Sequence, residues 1–81
     1  MKIFYENHLL TLDLHGVRHF QVETKVQDFV LDNQSDIPLI IICGNSSKMI
    51  EIVADTLKKL KVDFEETRYG RIRVNSLDEK A

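Results

Sequence analysis

The stretch that most restricts the fold is Leu39-Ile40-Ile41-Ile42-Cys43, an apolar run without alternation between two segments whose apolar residues recur at helical spacing. Such a run suits a central strand covered on both faces in a parallel arrangement. Before it, Val22, Val26, Phe29 and Val30 predict an amphipathic helix over residues 19–33, with no Ser, Thr, Asp or Asn to cap its start. After it, Gly44-Asn45-Ser46-Ser47 turns into a second helix, for which Asn45 or Ser46 is the natural cap. Ile50, Val53, Ala54, Leu57 and Leu60 form its buried stripe and Ile52 lies on its wet face, while Lys58, Lys59 and Lys61 sit where the macrodipole favours cations.

An earlier strand is predicted over residues 9–15. Alternation puts Leu10, Leu12 and Leu14 on one face and Thr11, Asp13 and His15 on the other, and Gly16 permits a sharp turn at its end. Residues 1–8 hold Ile3, Phe4 and Tyr5 ahead of polar residues and read as an arm packed on the sheet, a candidate second cover for the central strand. Phe20 falls off the first helix stripe and reads as folded under the preceding loop rather than as an exposed stacking residue.

The last unit is a hairpin whose register follows from its pattern. A two-residue Tyr69-Gly70 turn would pair Phe64 with Asn75, mixing core with solvent. A three-residue loop Arg68-Tyr69-Gly70 pairs Phe64 with Val74 and Glu65 with Arg73 instead, and turns Val62, Phe64, Ile72 and Val74 inward. The expected order is β-α-β-α-β-β in a mixed four-stranded sheet, the first three strands parallel and the last antiparallel. With both helices on one face this is a two-layer α/β sandwich. The domain spans residues 9–75, and residues 76–81 form a polar tail.

Eighty-one residues, 43% of them hydrophobic, allow one modest core and no second domain. Eleven basic against thirteen acidic residues give a net charge of −2, which removes nucleic-acid binding by global charge and leaves only a local patch. A single cysteine within the apolar run points to a reduced, buried thiol in a cytoplasmic protein. The longest apolar run, from Ile37 to Cys43, contains Pro38 and is too short to span a membrane.

Leu12-Asp13-Leu14-His15-Gly16 closes the first predicted strand, and ligands of open α/β sheets sit outside the carboxyl ends of strands. In this frame the motif closely resembles that of the Smr (small MutS-related) domain, over about residues 9–74. Members of that family bind nucleic acid, several nick or cleave DNA or RNA, and their fold is similar to the C-terminal domain of the third bacterial translation initiation factor. The resemblance implies nucleic-acid binding here, with nicking or structure-selective endonucleolytic cleavage as the activity. The family's second motif, Thr-Gly-x-Gly or His-Gly-x-Gly, falls on Cys43-Gly44-Asn45-Ser46, where only Gly44 matches. That departure bears on catalysis more than on binding, since Ser46 and a helix N-terminus still suit an anion.

Phosphodiester hydrolysis needs an activated water, charge neutralisation and a proton for the leaving oxygen. Asp13 and His15 are the candidate catalytic residues, Asp13 orienting water or holding a divalent cation and His15 acting as general acid or base. The bland alternative has Asp13 bonding loop N–H groups and His15 closing the turn. One carboxylate makes a weak metal site, so no tightly bound metal is expected, and magnesium or manganese would be held weakly if at all. The nucleic-acid-binding set is Gly16, Arg18, His19, Gly44, Asn45, Ser46, Lys48, Arg68, Tyr69, Arg71 and Arg73. All four arginines lie just after the first motif or on the hairpin, and Tyr69 at its tip reads either as an ordinary loop aromatic or as a residue that stacks on an unpaired base. Against the arginine patch stands ordinary Glu65–Arg73 cross-strand pairing. The expected partners are DNA or RNA, bound by a monomer. The rival expectation is a catalytically inactive adaptor that binds nucleic acid or protein.

Overall fold

In the computed structural model, which describes residues 1–77, the apolar run forms the central strand of a five-stranded mixed sheet flanked by two helices. In chain order the elements are β1 (Lys2–Glu6), β2 (Leu9–Asp13), α1 (His19–Asp32), a 3-10 turn at Gln34–Asp36, β3 (Leu39–Ile42), α2 (Ser47–Leu60), β4 (Asp63–Arg68) and β5 (Arg71–Ser76). The strands lie in the order β1-β2-β3-β5-β4. β2 and β3 are parallel, and every other neighbouring pair is antiparallel. β4 therefore shares the direction of β2 and β3, as expected, with β5 inserted between β3 and β4.

Four strands were expected and there are five, because the amino-terminal segment extends the sheet rather than covering it. Asn7 and His8 both adopt positive φ, 52° and 68°, and close a two-residue hairpin that pairs Glu6 with Leu9 and Lys2 with Asp13. That is the backbone of a type I′ turn, ordinarily signalled by Asn-Gly. Here histidine occupies the second position, so the turn carried no glycine to mark it.

Leu10 and Leu12 of β2, Leu39 and Ile41 of β3, and Ile72 and Val74 of β5 turn to one face. There they pack with Val22, Val26, Phe29 and Val30 of α1 and with Met49, Val53 and Leu57 of α2. Both helices thus cover the same face, and Glu23 and Lys59 join them on the surface at 3.0 Å. α1 has no side-chain cap, as its sequence implies, whereas Ser46 Oγ accepts from Met49 N at the start of α2. The α2 stripe is rotated from expectation toward Met49 and Thr56, Ile52 is half-buried, and Phe20 of α1, expected under the preceding loop, is exposed instead. Thr56 can lie inside because its hydroxyl donates to the Ile52 carbonyl at 2.8 Å.

Among the described residues the opposite sheet face carries no helix, yet Thr11 and Ile40 are 0% and 3% exposed. The register sets Phe4, Thr11, Ile40, Arg73 and Glu65 in one row across this face. Glu6 lies opposite the start of β2 and Arg71 opposite the end of β3, so their 2.9 Å ion pair runs diagonally over the sheet from edge strand β1 to the interior strand β5. Twist brings such diagonal positions toward one another over the face between them. The flanking side chains and this pair are the cover that the amino-terminal arm was expected to supply.

In the hairpin, Phe64 pairs with Val74 and Glu65 with Arg73, the expected partners, yet Arg68 also pairs with Arg71 around a two-residue Tyr69-Gly70 turn. Register shifts between Asp63 and Phe64 and between Glu66 and Arg68 reconcile the two, the second leaving Thr67 as the extra residue. Ser76 closes β5 and Leu77 packs against the core, so the start of the expected tail belongs to the fold. Residues 78–81 lie outside the described residues. No helix among the described residues is long and apolar enough to cross a membrane.

Candidate nucleic-acid interface

β2 ends at Asp13, so strand alternation does not carry through to His15. The Asp13 carboxylate accepts the His15 backbone N–H at 2.9 Å, and Val17 N donates to the Leu14 carbonyl at 3.0 Å to close the next turn. Gly16 sits in that turn at φ 82°, a conformation glycine adopts without strain. The carboxylate thus performs the structural task expected of it under the bland reading, with Oδ1 committed and Oδ2 left over. His15 is exposed, and its imidazole has no hydrogen bond among the described residues. Arg18, in the N-cap position of α1, and His19 are exposed beside the same turn.

Because β2 and β3 are parallel, the β3–α2 loop emerges at the same edge of the sheet as this turn. Gly44, at φ 75°, is exposed, and no atom lies within 4 Å of where a Cβ would stand. The space on its Cβ side is open, whereas its backbone carbonyl packs against Gly70. Ser46 spends its oxygen on capping α2, and Lys48 in the first turn forms an exposed pair with Glu51 at 3.6 Å.

The hairpin tip docks on this loop. Cys43 N donates to the Gly70 carbonyl at 2.7 Å, and Gly70 N donates to Glu66 Oε2 at 3.0 Å. Gly70 is buried so closely against Gly44 that a Cβ on it would stand 2.2 Å from the Gly44 oxygen. Burial pushes the Cys43 thiol up from 9.0 to about 12, with a further contribution from the Glu66 carboxylate. Such a thiol is not a nucleophile at neutral pH.

Docking of the tip creates an open cleft of about 360 Å³ lined by Glu6, Ile42, Gly44, Asn45, Arg68, Tyr69, Gly70 and Arg71. The structure therefore brings Gly44, Asn45, Arg68, Tyr69 and Arg71 together. Arg68 and Tyr69 are exposed at the rim, and Arg68 has no partner among the described residues. Arg71 is held in place by Glu6. Asp13 lies in the same row as Arg71 with Ile42 between them, two strand spacings or about 10 Å away. His15, Gly16, Arg18, His19 and Lys48 share this edge of the sheet but do not line the cleft.

Arg73 stands apart from the rim. It lies along the open face beside Ile40, and its Nε is buried without an acceptor among the described residues. The alternative Glu65–Arg73 ion pair does not form, since Glu65 instead accepts from Asn75 Nδ2 at 3.4 Å. Three residues of the cleft were not among the candidates from sequence, Glu6, Ile42 and Gly70, and Ile42 read only as part of the apolar central strand. Glu6 is 65 positions from Arg71 and carried no local signal, and Gly70 signalled a turn but not a close approach.

Among the described residues, no three His, Cys, Asp or Glu side chains converge as a metal cage. Asp13 offers one carboxylate oxygen that the turn does not use. No family model, curated protein or solved structure matches the chain.

Proposed function

We propose that this chain is an Smr-like nucleic-acid-binding domain that seats a phosphate backbone in the cleft between the β3–α2 loop and the β4–β5 tip. The observation that carries this reading is the meeting of Gly44, open on its Cβ side, with Arg68, which is free of a partner among the described residues, and Arg71, held in place by Glu6, in one cleft of an otherwise acidic chain. A glycine lets phosphate approach the main chain, and arginine recognises phosphate through paired N–H donors. Tyr69 on the rim offers a ring face to an unpaired base, which favours single-stranded or looped substrates.

Cleavage is the further step of the proposal. His15 is the exposed proton-transfer group at this edge, and Asp13 acts on it by fixing the turn. A binding module without cleavage is the second reading, favoured by the commitment of Asp13 Oδ1 to the turn and by the residues that replace the family's second motif.

The test is anisotropy of labelled single-stranded RNA and DNA against salt. The two arginines of the cleft give a slope of about −1.4 on single strands, roughly a 7-fold loss of affinity between 50 and 200 mM salt. Arg68→Ala, alone and with Arg71→Ala, should weaken binding and flatten that slope, while binding indifferent to salt and to these substitutions would refute the reading. Under the same conditions, with and without magnesium or manganese, cleavage that His15→Ala abolishes supports the nuclease. Binding without cleavage supports the adaptor.

A further inference from the structure

The two edges of the sheet differ in kind. β4 carries Asp63, Glu65, Glu66 and Arg68 and is broken by two register shifts, both devices that discourage a further strand from pairing. β1 carries Ile3, Phe4 and Tyr5, has no proline and pairs with β2 without a register shift. On the helix-side face, Ile3 and Tyr5 are 50% and 66% exposed because neither helix covers this edge. An apolar edge left unprotected beside a protected one invites a specific strand.

The backbone decides which residues of β1 can accept such a strand. In a two-residue hairpin the closing pair exchanges both of its hydrogen bonds, so Glu6 points its N–H and C=O at Leu9. By alternation Phe4 and Lys2 also face β2, which leaves the N–H and C=O of Ile3 and Tyr5 pointing outward.

We propose that β1 is the contact strand of a symmetric homodimer, pairing antiparallel with β1 of a second copy about a two-fold axis through Phe4. In this register Ile3 faces the partner's Tyr5 and Tyr5 faces the partner's Ile3, so all four outward-pointing backbone groups of each copy are satisfied. Lys2 faces the partner's Glu6, which places opposite charges at both ends of the contact. Phe4 meets its own copy as a close, non-hydrogen-bonded pair. The partner's Tyr5 ring is laid against Ile3 at the mouth of the groove between β1 and α1, which Ile3, Lys25, Asp28 and Phe29 line. The strand is thus complementary to itself in charge, shape and hydrogen bonding, and the sheets of two copies continue as one of ten strands.

Sedimentation equilibrium across micromolar to millimolar protein tests this directly. The mass should double, and Ile3→Lys or Tyr5→Lys should return it to one chain with unchanged circular dichroism, since both side chains are exposed in the monomer. The register has its own test in disulfide trapping. Phe4→Cys places the two sulfurs across the axis, where Cα atoms about 4.5 Å apart can be bridged. Ile3→Cys places its own copy on a diagonal of about 7–8 Å, beyond easy bridging. Phe4→Cys should therefore form disulfide dimers on mild oxidation and Ile3→Cys should not, with the buried Cys43 silent in both. A single-chain mass at every concentration would overturn the proposal. So would a dimer that survives both lysine substitutions, or cross-linking as efficient at position 3 as at position 4.

Discussion

Replacing Gly70 by alanine should release the hairpin tip from the β3–α2 loop, and the size of the loss can be worked out by comparison with the other glycines. Gly16, Gly44 and Gly70 share nearly the same backbone, with φ of 82°, 75° and 81°. A Cβ in the left-handed region costs about 1–2 kcal/mol wherever it is placed. At Gly16 and Gly44 nothing lies within 4 Å of the new atom, so that conformational cost is the whole effect. At Gly70 the methyl would stand 2.2 Å from the Gly44 oxygen and 3.1 Å from its carbonyl carbon. Backbone must move by about 1 Å to restore ordinary contact, and the hydrogen bond from Cys43 N to the Gly70 carbonyl is then lost. Leaving a buried N–H unpaired adds about 1–3 kcal/mol. Gly70→Ala should therefore cost about 2–5 kcal/mol against about 1–2 for Gly16→Ala and Gly44→Ala. That is a large part of the stability of a small domain. Urea unfolding followed by circular dichroism reads the three values side by side. Equal losses at the three positions would refute the docked tip, and with it the cleft it helps to form.

Two further predictions concern positions where local chemistry departs from the usual. Lys61 ends α2 in the left-handed conformation, at φ 59°, with Val62 N reaching back to the Leu57 carbonyl, an arrangement that ordinarily takes glycine. Lys61→Gly should raise stability by about 0.5–1 kcal/mol in urea unfolding, and a loss of that size would contradict the cap geometry. Cys43 should resist alkylation in the folded protein and react once urea unfolds it. Its thiol keeps its proton up to about pH 12 when folded but releases it near 9.0 when unfolded, so its contribution is fully present below pH 9 and is lost as the pH rises toward 12. Cys43→Ala should flatten that alkaline fall in stability, and an unchanged pH profile would count against the burial of the thiol.

The parts of the fold that were legible in the sequence are those fixed by local periodicity. Both helices, the central strand and the hairpin partners follow from patterns that repeat within a few residues. The hairpin pairing survived a wrong loop length because the inward and outward residues must match, and the extra residue was absorbed at Thr67 instead. β1 was hidden for a different reason: its turn is made by Asn7 and His8, which reach positive φ without a glycine to announce it. Thr56 illustrates a third limit, since a polar side chain can lie in the core when its hydroxyl bonds within its own helix.

At the candidate site, the residue types were legible and their assembly was not. Gly44, Arg68, Tyr69 and Arg71 meet because the tip docks on the loop, and docking depends on a contact between two glycines 26 positions apart. Glu6 enters the cleft only because the sheet twists its first hairpin toward β5. Neither event leaves a mark on the neighbouring sequence. Asp13 shows how a motif read for chemistry can also serve structure, its carboxylate holding the turn that presents His15.

The most direct measurement is a backbone amide chemical-shift titration of the ¹⁵N-labelled protein with a short single-stranded oligonucleotide at low salt. Docking in the cleft predicts shifts that concentrate at Gly44, Asn45, Arg68, Tyr69 and Arg71, extend to His15 and Gly16, and collapse when salt is raised. Shifts confined to β1 or to the outer helix faces, or no shifts at all, would contradict the account.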